Sequence, residues 1–157
     1  MKLETLPVKD LQFHHGNTRQ HEETDIAAIA RSLKEFGQQK PIVVDERNVV
    51  IAGNGTLAAA QVLEWETLKA VRTTLDERNK LAFSIADNRT AELSEWDYPI
   101  LKDALVELDT GDFDLTVTGW SKKEIGQLLT TVGEPKEPES TSTELIECPK
   151  CGHEFIP

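Results

Sequence analysis

The chain has 157 residues, enough for one ordinary domain plus a tail, with 38% hydrophobic and 29% charged residues. That balance supports a packed core, and no apolar run approaches the roughly 20 residues of a membrane helix. The net charge of -11 is unevenly placed: residues 1–90 carry -1 and residues 91–157 carry -10. An acidic second half argues against non-specific binding to nucleic acid, which needs clustered Lys and Arg. The start, with Glu4 and Asp10 and no apolar stretch, does not read as a secretory leader, and both cysteines fall in the last ten residues. A soluble, cytoplasmic protein without a disulfide framework is expected.

Leu3 to Phe13, interrupted by Pro7, reads as a short edge strand and a loop that continues through His14, His15, Gly16, Arg19 and His21. A helix is predicted from Thr24 to Phe36, with Ile26, Ile29, Ala30, Leu33 and Phe36 on one stripe, Thr24 as its cap and Gly37 at its end. Pro41–Val44 and Val49–Ala52 read as a hairpin joined by Asp45-Glu46-Arg47-Asn48. After Gly53-Asn54-Gly55, a second helix is expected from Thr56 to Glu64, then a strand from Thr67 to Thr73. A third helix, from Asp76 to Asp87, is expected to bury Leu81, Ala82 and Ile85.

Two capping boxes follow, Ser94–Asp97 and Ser121–Glu124. The first should open a helix through Leu108, with Leu101, Leu105 and Leu108 on one side. The second should open a short one, and Phe113–Trp120 between them reads as extended. Trp96 and Trp120 are expected to be packing residues. Residues 133–143, rich in Pro, Glu, Ser and Thr, have the composition of a disordered linker. The expected architecture is α/β (α+β): a small mixed sheet with helices over residues 1–90, a helical extension over 91–132, the linker, and a tail over 144–157.

The segment most suggestive of chemistry is the strand, Gly53-Asn54-Gly55-Thr56, then helix. Glycines let backbone approach a ligand closely, and a helix start presents unpaired N–H groups and a positive dipole end, so a phosphate is the natural guest. In the tail, Cys148-Pro-Lys-Cys151-Gly152-His153 has the spacing of a zinc knuckle. Cys148 and Cys151 can grip one ion, with His153 as a third candidate. A structural zinc site needs four ligands, so a second chain or another partner would complete it, and a homodimer sharing the ion is one arrangement.

The order of these segments resembles the ParB/sulfiredoxin superfamily, and more closely the small phage and prophage proteins with a ParB-like nuclease domain. The resemblance spans about residues 3–130. It implies a ParB/sulfiredoxin fold whose glycine turn binds nucleotide phosphates, with CTP in ParB itself and ATP or ADP elsewhere, and Mg²⁺ as a companion. It places Arg19 in a loop over the site, Gln38, Gln39 and Lys40 near base and ribose, and Asn88 and Arg89 in a motif beyond the third helix. ParB has a Gly-Glu-Arg-Arg box where this chain has Gly53, Asn54, Gly55 and Thr56. Each missing cation removes about 1.5–3 kcal/mol, so the nucleotide is expected to bind weakly, in an altered mode, or not at all. Sulfiredoxin's catalytic cysteine is replaced by Asn54. The implied role is a nucleotide-binding module in a DNA transaction (partition, modification or transcription control), acting through protein partners or on DNA. Alternatives are a phosphotransferase or nuclease of the same superfamily, and a degenerate scaffold.

Overall fold

A computed structural model of the chain describes residues 2–16, 19, 21–131, 146–147 and 154–155. Strands β1 (Leu3–Pro7), β2 (Gln12–Phe13), β3 (Ile42–Val44), β4 (Val49–Ala52) and β5 (Thr67–Arg72) form one mixed sheet in the order β1-β5-β3-β4-β2. β1–β5 and β3–β4 pair antiparallel, while β5–β3 and β4–β2 pair parallel. The Leu3–Phe13 stretch is thus two strands, split by a 3₁₀ turn at Val8–Asp10 that buries Val8. The hairpin forms as its β-branched runs suggest. Its turn is held by Asp45, whose Oδ1 accepts the N–H groups of Arg47 (2.8 Å) and Val49 (2.9 Å).

Helix α2 (Asn54–Val62) packs on the sheet, and helix α1 (Glu23–Phe36) packs on α2. Val44, Val50, Leu57, Ala60, Leu68 and Ala70 form the main core, and Ala59 on another side of α2 meets Ala30 and Leu33 of α1. An alanine-rich helix suits this middle layer, because small side chains let it lie close to neighbours on both sides. α1 begins at Glu23, with Glu22 and not Thr24 at the cap position; Glu23 and Asp25 suit the helix dipole there. Gly37 closes α1 at φ 68°.

The third helix differs most from expectation. α3 runs from Glu77 to Ala91, capped by Asp76, whose side chain accepts the Asn79 N–H at 2.9 Å. Its buried face carries Lys80 and Ser84, whereas Leu81 and Ile85 are 45% and 47% exposed and Ala82 is also exposed. The cause is an ion cluster. Lys80, only 2% exposed, reaches Asp45 (3.2 Å), Glu46 (3.1 Å) and Glu77 (2.9 Å), which fixes the rotation of α3 against the hairpin turn.

α4 (Tyr98–Leu108) is capped by Asp97 and not Ser94: the Asp97 side chain accepts the Ile100 N–H at 3.2 Å, and Pro99 sits in the first turn. Leu105 is buried and Leu101 half-buried, but Leu108 is exposed. The stretch before α5 is not extended. It forms a 3₁₀ turn at Leu115–Thr118, because Asp114 accepts both the N–H (3.0 Å) and hydroxyl (2.8 Å) of Thr116. α5 (Lys122–Thr131) does open on the Ser121–Glu124 box, with reciprocal bonds of 2.8 and 3.3 Å. Leu105, Leu115, Ile125 and Leu128 make a second core. Trp96 and Trp120 meet edge to face at 5.7 Å. β6 (Ile146–Glu147) pairs with β7 (Glu154–Phe155). The 133–143 segment and the ligand candidates Cys148, Cys151 and His153 lie outside the described residues. Among the described residues, no helix is long and apolar enough to cross a membrane.

Candidate functional site

The site begins at one residue. Gly53 ends β4 in a left-handed conformation (φ 96°, ψ 26°), so α2 starts two residues earlier than the sequence suggests, at Asn54. Asn54, Gly55 and Thr56 therefore occupy the first helical turn, where N–H groups have no partner within the helix; the first α2 bond runs from Leu57 N–H to the Gly53 carbonyl at 3.0 Å. An added Cβ at Gly53 would lie 2.7 Å from Ile42 Cγ2, and one at Gly55 would lie 2.8 Å from Ile29 Cδ1 and 3.0 Å from the His21 ring. Both glycines are fixed by close approach.

This turn floors an open cleft of about 180 Å³. Arg19, His21 and Ile29 line it, together with Asp87 and Asn88 of α3. A second recess of about 200 Å³ adjoins it, sharing Arg19 and Asn88 and adding Ile85, Arg89 and Glu92. Together they reach the lower end of the roughly 300–1,000 Å³ range of small-molecule sites.

The predicted residues take several places. Arg19, Gly53, Asn54, Gly55, Thr56 and Asn88 line the cleft, and Arg89 lines the recess beside it. Asn54 is buried and bonded in place: Nδ2 donates to the Val50 carbonyl at 3.1 Å, and Oδ1 accepts from the His14 N–H at 3.4 Å. Its backbone N–H lies in the first turn of α2, where it has no partner within the helix. Asn88 is helical, donating to the Ser84 carbonyl at 2.8 Å, and is not a helix cap; that position belongs to Glu92. Gln38, Gln39 and Lys40 are not brought to this cleft. The Gln38 amide pairs with the Lys69 backbone, accepting its N–H at 2.7 Å and donating to its carbonyl at 2.8 Å. Gln39 bonds the Phe36 carbonyl at the end of α1, and Lys40 is exposed.

His21 and Asp87 were not among the predicted ligands. Neither has a local signal, since the cleft joins three distant segments. The one described carboxylate cluster suited to a cation, Asp45, Glu46 and Glu77, lies at the far end of β4, and Lys80 already occupies its centre. Burial pushes the Asp45 carboxyl up, but the Val49 and Arg47 N–H groups and Lys80 outweigh it, leaving it below 3.8. Hydrogen bonding to Glu77 raises the Lys80 ammonium above its usual 10.5 despite burial. This is a structural ion cluster.

Comparison with known proteins agrees with the fold. The model for the ParB N-terminal domain matches residues 1–89. The chain belongs to that family. The ParB-methyltransferase HTH domain model matches residues 99–151 of this ParB-domain protein. The ParB-like nuclease domain-containing protein YnaK of Escherichia coli K12 is 30% identical over 71 residues, covering 45% of this chain and 82% of YnaK. Chromosome-partitioning ParB from Caulobacter crescentus, C-terminally truncated and complexed with CTP-gamma-S, superposes with TM-score 0.74 at 19% identity. That match covers 87% of this chain and 82% of the other.

Proposed function

We propose that the cleft at the start of α2 binds the phosphates of a nucleotide, with CTP the first candidate and ATP or ADP the others. The observation that carries this is the left-handed turn at Gly53, which starts α2 at Asn54 and so places its first turn, whose N–H groups lack helical partners, on a cleft lined by Arg19. The CTP-gamma-S complex of the structurally similar ParB supports CTP as the first choice. Arg19 and Arg89 supply the cationic contacts that Asn54 and Thr56 do not. Gln38, Gln39 and Lys40 have no assigned part at the cleft as it stands.

Asp87 also lines the cleft, and a bare polyphosphate would meet its negative charge. A carboxylate oxygen is a suitable Mg²⁺ ligand, and Mg²⁺ keeps most of its shell from phosphate and water. Nucleotide is therefore expected to bind as its Mg²⁺ complex, and Asp87 is the lining carboxylate that would hold the ion. Mg²⁺ held there would offset phosphate charge, while the α2 amides would fix the phosphate position and Arg19 and Arg89 would orient it.

The resulting role is a ParB-type nucleotide-binding module in a phage, prophage or plasmid DNA transaction. Contact with a protein partner is favoured over bare DNA by the -10 charge of residues 91–157. Zinc shared by two chains through the Cys148 and Cys151 thiolates of each, with His153 as a further candidate ligand, is proposed from the sequence alone. A metal assay on purified protein tests it, with one ion per two chains expected and a metal-free protein counting against it. Titration calorimetry with Mg-CTP, Mg-ATP and Mg-ADP tests the main reading. Saturable binding of at least one is expected, and no heat from any of them at millimolar concentration refutes it. The same incubations, assayed for released phosphate and for cut DNA, separate a binding module from a phosphotransferase or nuclease.

A further inference from the structure

Arg19 and Arg89 close on one carboxylate. Arg19 Nη1 lies 3.7 Å from Glu92 Oε1, and Arg89 Nη1 lies 3.1 Å from Glu92 Oε2, so each oxygen faces its own guanidinium. The three side chains line the recess that opens beside the α2 cleft and shares Arg19 with it. Guanidinium forks hold carboxylate and phosphate oxygens by the same charge-assisted bonds. The recess thus already contains an anion, and the chain itself provides it.

We propose that Glu92 is a resident counter-anion that an incoming phosphate displaces. Resting on the nucleotide reading above, this makes the site selective for ligands with at least two linked phosphates. One phosphate sits on the α2 amides and the next takes the place of the Glu92 carboxylate between the arginines. A monophosphate reaches only the first seat and leaves Glu92 where it is.

The physical argument has two parts. Both ion pairs are about half exposed, with side-chain exposures of 45–64%, so the contact sets a threshold and does not seal the site. After displacement the carboxylate stays close by and repels the phosphate that replaced it. Both effects oppose binding, so neutralising Glu92 strengthens it. Amide substitution leaves the helix end intact, because the Glu92 cap acts through its backbone N–H, bonded to the carbonyls of Arg89 and Thr90.

The test is calorimetry on the full chain, comparing wild type with Glu92→Gln and with Glu107→Gln, an exposed residue on α4 with the same charge change. The probes are Mg-CTP, inorganic pyrophosphate and CMP, at low and high salt. Glu92→Gln is expected to bind CTP and pyrophosphate roughly three- to tenfold more tightly, with the gain shrinking at high salt. CMP binding and the Glu107→Gln variant should match wild type. Equal or weaker binding by Glu92→Gln, or an equal gain in Glu107→Gln, overturns the inference and leaves the nucleotide reading standing. No binding by any form overturns both.

Discussion

Replacing Gly53 with alanine tests the turn that creates the site. Two costs are separable. The left-handed backbone (φ 96°) costs an L-residue roughly 1–2 kcal/mol. The new methyl would lie 2.7 Å from Ile42 Cγ2 and 3.5 Å from its Cα, and Ile42 is 2% exposed on β3, so it has little room to retreat. Overpacking of this kind costs typically ~1–3 kcal/mol. The sum, roughly 2–5 kcal/mol, lowers the melting temperature by roughly 4–20 °C for a chain of this size. Gly119 is the control: it has a similar φ of 98° but nothing within 4 Å of an added Cβ, so Gly119→Ala carries only the first cost. Thermal and urea unfolding of both variants is the assay. Combining Gly53→Ala with Ile42→Ala should cost less than the two separately, since the second change removes the clashing methyl. Equal losses for Gly53→Ala and Gly119→Ala, with no coupling to Ile42, would refute the packing argument.

Other expectations follow from the same contacts. Asp45 has a lowered carboxyl pKa, so its contribution is present above 3.8, its unfolded value, and fades as pH falls below that. Lys80, raised, contributes fully below 10.5 and loses that only as pH rises well beyond it. Urea midpoints against pH should therefore drop on the acid side in wild type, and Asp45→Asn should flatten that drop; identical slopes would sink the assignment. Gly55→Val, pressing on Ile29 and the His21 ring, should cost nucleotide affinity at least tenfold while far-ultraviolet dichroism stays native; unchanged affinity in calorimetry would argue against the cleft. Ser121→Ala should lose about 0.5–2 kcal/mol in urea unfolding through the α5 cap, and no loss would contradict the reciprocal bonds.

Legibility in the sequence tracked how local each cause was. The hairpin was readable because two β-branched runs flank Asp45–Asn48, and the α5 start because its box closes within four residues. The α2 start was misplaced by two residues because the residues around Gly53 do not reveal its left-handed state, which lets Asn54 enter the helix. The α3 face was misread because a sequence assigns lysine to solvent, and only the hairpin turn reveals the carboxylates that bury Lys80. At the site, Gly53–Thr56 was readable as strand, turn and helix. Arg19, Asn88 and Arg89 came from family resemblance. His21, Asp87 and Glu92 join it only through the tertiary arrangement, and Gln38 and Gln39 satisfy backbone groups of β5 and α1.

The most direct measurement is an amide NMR titration of the full chain with Mg-CTP. The account predicts saturable shifts centred on the amides of Asn54, Gly55 and Thr56, with the side-chain signals of Arg19 and Arg89 moving in step. Signals at 53–56 that stay still at saturating ligand, or shifts confined to another surface, would contradict it.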